Sequence, residues 1–171
     1  IDCTGHGVPG AFMTMIASFG LQKITRDEGW HDPAIILKRL NFFVQTTLQQ
    51  DTDYALSDDG LDAAICFVKP EQASLTFAGA KLPLLYTYNG DVNIIKGDGK
   101  SLGYKRSDSG FVFTSHTIDI KKEMSFYMFS DGYVDQLGES NDRRFGTRRF
   151  KELVGENRSE EHTSELQSLL I

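Results

Sequence analysis

No stretch of this sequence approaches the roughly 18–20 consecutive apolar residues that a membrane-crossing helix requires, because Lys, Asp or Gly interrupts every long candidate. Direct membrane insertion is therefore not expected. Cysteine is scarce: Cys3 and Cys66 are the only two, too few for a disulfide framework, so both read as reduced thiols and the setting as cytoplasmic. Basic charge is in deficit, with 18 Lys and Arg against 24 Asp and Glu and a net charge of −6. Binding a polyanion calls for a clustered basic face. The densest basic stretch, Arg143, Arg144, Arg148 and Arg149, is short and flanked by Asp142 and Glu152, so no nucleic acid is expected. Internal repeats and linkers are missing as well. What remains, 171 residues of which 40% are hydrophobic and 25% charged, suits one globular domain with a sizeable core.

The first residue is Ile1 and a Gly-rich motif follows at once, so the expectation is a segment whose natural N-terminus, with any targeting signal, lies further upstream. At the other end, residues 158–168 read RSEEHTSELQS, which resembles the translated read-through of a sequencing-library adapter. Residues 1–157 are expected to form the domain, and residues 158–171 to be a non-native tail.

From Phe12 to Ile24, apolar residues at Phe12, Met15, Ile16, Phe19, Leu21 and Ile24 follow the spacing of an amphipathic helix, with Pro9 suited to its first turn. A second helix is expected after His31, with Asp32 as cap, Pro33 at its first position, and Ile36, Leu37, Leu40, Phe43, Val44 and Leu48 toward the core, ending near Gln50. Short β-branched and aromatic runs follow: Ala63 to Val68, Ser74 to Ala78, Leu84 to Tyr88, Val92 to Ile95, Phe111 to Ile118 and Met124 to Phe129. Asn89-Gly90 is a strong hairpin signal, since both central positions of a type I′ turn need positive φ. A last helix is expected from Thr147 with Phe150, Leu153 and Val154. Helices followed by consecutive antiparallel strands predict an α+β layered domain rather than βαβ units.

Two constellations carry chemistry. Asp2-Cys3-Thr4-Gly5-His6-Gly7-Val8-Pro9-Gly10 places glycines directly before a helix, where bare amides and the helix dipole favour an anion. It also satisfies the dinucleotide glycine pattern, but that reading requires a strand near residues 20–27 to deliver Asp27 or Glu28 to a ribose, and that segment continues a helical pattern. Gly97-Asp98-Gly99-Lys100-Ser101 resembles the end of a P-loop, yet Ile94 stands where the first glycine belongs and no helix follows, so it reads as a turn. The second constellation is Phe129-Ser130-Asp131-Gly132-Tyr133-Val134-Asp135, an apolar strand ending in an acidic residue and a glycine. Asp-Gly after a strand is commonly only a turn; the parallel with Asp2 is what singles it out. Oxygen ligands of this kind suit Mg²⁺ or Mn²⁺, whereas Cys3 with His6 lacks the paired spacing of a zinc or nucleophile site.

Four ordered motifs resemble the PPM-type metal-dependent protein phosphatases, specifically their bacterial SpoIIE-type branch: residues 2–13 from Asp2 to Met13, Asp59-Gly60-Leu61-Asp62-Ala63-Ala64, Phe77-Ala78-Gly79-Ala80, and Phe129 through Gln136. The resemblance implies a layered PPM-type fold with antiparallel sheets flanked by helices, incomplete at both ends. It further implies that Asp2 bridges two Mn²⁺ or Mg²⁺ ions, that the backbone carbonyl of Cys3 is a further ligand, and that Asp131 is the ligand from the later strand. The ions would make a hydroxide that attacks the phosphorus of a phosphoserine or phosphothreonine in line, without a phosphoenzyme. His6 is a candidate proton donor to the leaving oxygen or a structural residue; Asp62, Gly132 and Asp135 are candidate supporting residues.

The implied substrate is a phosphorylated regulatory protein, such as a STAS-type anti-sigma-factor antagonist, and the implied parent carries a sensor domain on the N-terminal side, in some members membrane-anchored. The family has an acidic ligand upstream of the opening motif and another downstream of Asp131, and this segment is expected to lack both and with them activity. A rival reading is a non-catalytic signalling or interaction domain that retains the fold. A third, the dinucleotide-binding enzyme, predicts a parallel sheet and a strand before Gly5.

Overall fold

The computed structural model describes residues 1–135 and 146–156. Arg143, Arg144, Gln136 and the tail from residue 158 lie outside them. The chain divides into two compact units: one of residues 1–84 and 95–122, the other containing residues 85–94 and the part from 123 onward.

The first unit opens with β1 (Asp2–Cys3), followed by helix α1 (Gly7–Gln22), a π-helical turn at Lys23–Asp27 and helix α2 (Pro33–Thr47). Strands β2 (Leu61–Lys69) and β3 (Ser74–Ala80) come next. After β4 (Leu84–Tyr88) and β5 (Asp91–Ile95), the chain adds β6 (His116–Asp119). The sheet order is β1-β2-β3-β6, antiparallel throughout, with Asp2 opposite Asp62, Cys66 opposite Phe77 and Phe77 opposite His116. Leu61, Ala63, Ala78 and Ala80 turn one face of this sheet toward Met13, Ala17, Leu37, Leu40 and Val44 of the two helices, forming a single core. A strand does precede Gly5, but it pairs antiparallel, and residues 20–27 are helical. Both facts remove the dinucleotide reading.

Helix α2 starts as its sequence predicts. The Asp32 carboxylate accepts from the amides of Ala34 at 2.9 Å and Ile35 at 3.2 Å, and Pro33 fills the first position, where no amide is needed. Ile36, Leu37, Leu40 and Val44 are buried as expected.

Helix α1 departs from its predicted face. Phe12, Met15 and Phe19 are more than 60% exposed, while Met13, Ala17, Gly20 and Ile24 are buried. The helix carries two stripes, and close packing chose the one with small residues. At Gly20 an added Cβ would lie 2.6 Å from the Phe43 ring, so only the Ala17–Gly20 side lets the two helix backbones approach.

The strand expected over Phe111 to Ile118 shortens to His116–Asp119. The Thr114 amide donates instead to the Asp98 carboxylate at 2.7 Å, and Phe111 and Phe113 meet edge to face at 4.9 Å against the core. Asp98 is itself fixed: its amide donates to the Gly79 carbonyl at 2.8 Å, and its carbonyl accepts from Lys81 at 2.7 Å. Where the sequence suggested a turn, Asp98 instead forms a parallel bridge with Ala80 at the end of β3, with a bend at Gly99.

Neither cysteine is in a disulfide. Burial pushes the Cys66 thiol from its ordinary 9.0 up to about 11, which leaves about 100-fold less thiolate near neutrality. Iodoacetamide at pH 8 is expected to modify Cys66 about 100-fold more slowly in the folded chain than in urea, read by peptide mass spectrometry; equal rates would overturn this. Because the folded state holds this proton more tightly, its contribution to stability is full below about pH 9 and lost as pH rises through about 11.

The second unit contains a three-stranded sheet of order β5-β4-β7, with β7 at Ser125–Met128. Asn89 and Gly90 have φ of 51° and 89°, the paired positive values of the predicted hairpin turn. Helix α3 (Asp131–Val134) and helix α4 (Gly146–Glu156) complete it. Phe150 and Val154 of α4 are buried with Leu85, and Phe150 meets the rings of Phe129 at 4.5 Å and Tyr133 at 5.2 Å. Arg148 forms an exposed 3.1 Å pair with Glu152, an arrangement of little energetic weight.

Candidate metal centre

β1 places Asp2 and Cys3 on opposite faces of the first unit's sheet. Cys3 packs toward the helices with Leu61. Asp2 and its partner Asp62 thus share the other face, both partly buried. Directly opposed residues of an antiparallel pair have Cβ atoms about 4.5–5.5 Å apart, and like charges there repel.

The pairing is locked by Thr4. Its amide donates to the Gly60 carbonyl at 2.9 Å, its hydroxyl donates to the same carbonyl at 3.0 Å, and the hydroxyl oxygen accepts from the Gly60 amide at 2.9 Å. Tyr104 closes the cluster: its ring lies where a Gly60 side chain would stand, and its hydroxyl meets Thr4. Burial, then the charge of Asp62, pushes the Tyr104 phenol above its usual range, with the Thr4 hydrogen bond opposing.

Beyond Thr4 the chain turns through Gly5 and Gly7, with φ of 83° and 64°, and Gly10 takes the Gly5 carbonyl so closely that a Cβ would sit 2.7 Å from it. The glycine pattern thus builds a tight turn into α1. His6 is the exposed cap residue of α1, and its side chain makes no capping hydrogen bond.

Sequence inspection overlooked the supports of this cluster. Gln50 donates to the carbonyls of Asp59 and Gly103 and accepts from the Asp59 amide at 2.6 Å. Asn41 binds the Gly103 amide at 2.8 Å and the Asp108 carbonyl at 3.1 Å; Gln45 binds the carbonyls of Tyr104 and Ser107, both at 2.8 Å. All three amide side chains are buried. The available signal was polar residues four apart, Asn41 and Gln45, on the ridge that also carries Leu37, Leu40 and Val44, since buried amides need partners.

In the second unit, β7 ends at Met128, and Asp131 is the first residue of the short helix α3, not the end of a strand as its sequence suggested. Its carbonyl accepts from the Asp135 amide at 2.7 Å, so Asp135 closes this turn. Asp131, Gly132 and Asp135 are exposed. Among the described residues, a Cβ added at Gly132 would meet only the Ser130 hydroxyl, at 3.6 Å, an ordinary contact.

Among the described residues, no three His, Cys, Asp or Glu side chains converge to hold a metal ion. In the first unit the chemistry of the Asp2 carboxylate and the Cys3 carbonyl, both oxygen donors, suits Mg²⁺ or Mn²⁺ in kind. Burial, against a Thr14 hydrogen bond, raises the Cys3 thiol, which disfavours the thiolate that zinc would seek. Also among the described residues, no helix is long and apolar enough to cross a membrane.

The family described as Stage II sporulation protein E (SpoIIE) matches residues 1–171. No curated protein matches the chain. Of solved structures, the SiaA-PP2C domain of Pseudomonas aeruginosa is 30% identical with a TM-score of 0.76, over 91% of this chain and 58% of that one. The RsbU and RsbW domains of Rv1364c from Mycobacterium tuberculosis are 17% identical with a TM-score of 0.65, over 92% of this chain and 41% of that one. The PP2C phosphatase domain with a fragment of the regulatory domain of SpoIIE from Bacillus subtilis is 16% identical with a TM-score of 0.60, over 92% and 47%. The last two likenesses speak for the fold alone, and the chain spans less than two thirds of each of the three. With the family match running over every residue and the SiaA-PP2C domain similar across nearly all of it, the chain belongs to the SpoIIE family of PP2C-type phosphatase domains.

Proposed function

We propose that the longer protein containing this chain is a metal-dependent phosphatase acting on phosphoserine or phosphothreonine of a regulatory protein, such as a STAS-type anti-sigma-factor antagonist, in the cytoplasm and under a sensor domain upstream. The observation that carries the reading is the Asp2–Asp62 pair, two like charges held opposite each other by the Thr4–Gly60 clamp. Two oxygen-donor side chains set on one face in this way suit a hard divalent cation.

Asp2, the Cys3 carbonyl and Asp131 would hold two Mn²⁺ or Mg²⁺ ions. When bound, the ions supply Lewis acidity and a nucleophilic water at neutral pH. Asp2 is held rigidly by its strand pairing, so little reorganisation accompanies the developing charge. Asp62 orients the groups around Asp2 from the facing strand. His6, exposed at the start of α1, is either a proton donor to the departing serine or threonine oxygen or a structural residue of the turn.

The test assays the longer protein on a phosphorylated STAS-type protein with Mn²⁺, with Mg²⁺ and with chelator. Metal-dependent turnover that collapses in Asp131→Ala is expected; metal-independent turnover, or full activity in Asp131→Ala, defeats the reading. Binding of the partner without any turnover favours the non-catalytic interaction domain. For the chain itself, calorimetric titration with Mn²⁺ is expected to give weak binding that Asp2→Asn weakens further.

A further inference from the structure

A groove of about 700 Å³ lies along the outer side of α2 beside the π-helical turn, and none of the candidate metal-centre residues lines it. Its apolar walls include Trp30, Phe43, Ile35 and Phe42, the last two 37% and 57% exposed. Its charged residues are Lys23, Lys38, Arg39 and Glu28. Glu28 is committed to Arg39 at 2.9 Å, and that guanidinium lies 4.5 Å from the Trp30 ring centre. The Lys23 ammonium lies 5.7 Å from the Phe43 ring centre. The lining thus carries an excess of positive charge, in a chain whose net charge is −6.

From this charge complementarity we infer that the groove is a binding site for a small organic anion, a carboxylate bearing an aliphatic or aromatic body. The body would lie on Trp30 and Phe43, and the carboxylate would face Lys23 and Lys38. The volume of about 700 Å³ falls within the usual span for small-molecule sites, about 300–1,000 Å³. The apolar walls suit an apolar body and the lysines Lys23 and Lys38 suit one carboxylate, so the occupant is a small amphiphilic anion. The inference concerns binding and stands independently of phosphatase activity.

Trp30 is the only tryptophan in the chain, so its emission reports on this groove. The chain is titrated with decanoate, below its micelle concentration, and separately with decyltrimethylammonium, which has a similar tail and the opposite charge. A saturable change in Trp30 emission with decanoate is expected, with unchanged far-ultraviolet circular dichroism. Binding should weaken about tenfold or more in the Lys23→Glu/Lys38→Glu double variant, and measurably in Phe42→Ala, which trims only an exposed wall. The proposal is overturned by an absence of saturable change, by an equal response to the cationic amphiphile, by a change that accompanies loss of helical signal, or by unaltered affinity in both variants.

Discussion

Asp2→Asn is expected to lower metal-dependent phosphoprotein turnover of the longer protein by more than about 100-fold. Losing a residue that merely supports a metal ligand commonly costs about 10–100-fold in metal affinity or activity, so losing a ligand should cost more. The same substitution is expected to leave thermal stability unchanged or slightly raised, because it removes one of two like charges facing each other across β1 and β2. A gain in midpoint with a loss of turnover is the signature of a residue kept for chemistry at some expense to the fold. Asp62→Asn should give the same small stability gain with a milder loss of turnover if, as proposed, Asp62 orients groups rather than ligating. Differential scanning calorimetry on the chain and an Mn²⁺-dependent assay on the longer protein separate the two. If Asp2→Asn destabilised the fold and turnover fell only in proportion, Asp2 would be structural.

Gly60→Ala should be among the most damaging single-methyl additions in the first unit, with a loss of about 3 kcal/mol and a midpoint about 5–10 °C lower. A Cβ there would stand 2.3 Å from a Tyr104 ring carbon and 2.4 Å from the Leu102 carbonyl oxygen. The ring could move, but the carbonyl cannot: Leu102 and Leu61 exchange both backbone hydrogen bonds, at 2.8 and 2.9 Å. Relief would have to come from Gly60 itself, whose amide and carbonyl hold Thr4 and through it the Asp2 strand. Tyr104→Ala combined with Gly60→Ala should therefore restore only part of the lost stability, measured by urea unfolding. Full restoration would show that the ring alone made the clash.

Much of this was legible in the sequence because it depends on local rules. The start of α2 follows from Asp32 and Pro33, whose preferences are set by neighbours two and three residues away. The hairpin at Asn89-Gly90 follows from the positive φ its turn requires. The opening motif announced both a carboxylate and the glycines that lead into α1.

The sequence by itself determined the two opening helices, the Asn89-Gly90 hairpin, the glycine turn into α1 and the identity of the family. Only the tertiary structure decided which stripe of α1 is buried. The apolar count favoured Phe12, Met15 and Phe19, but close approach to Phe43 favoured Ala17 and Gly20, and contact distance is not written in periodicity. The tertiary structure also decided that Asp62 faces Asp2, a consequence of strand register across sixty residues of chain. It likewise decided that Asn41, Gln45 and Gln50 hold the loops behind the site, because a buried amide's partner is set by what packs against it and not by its neighbours in sequence.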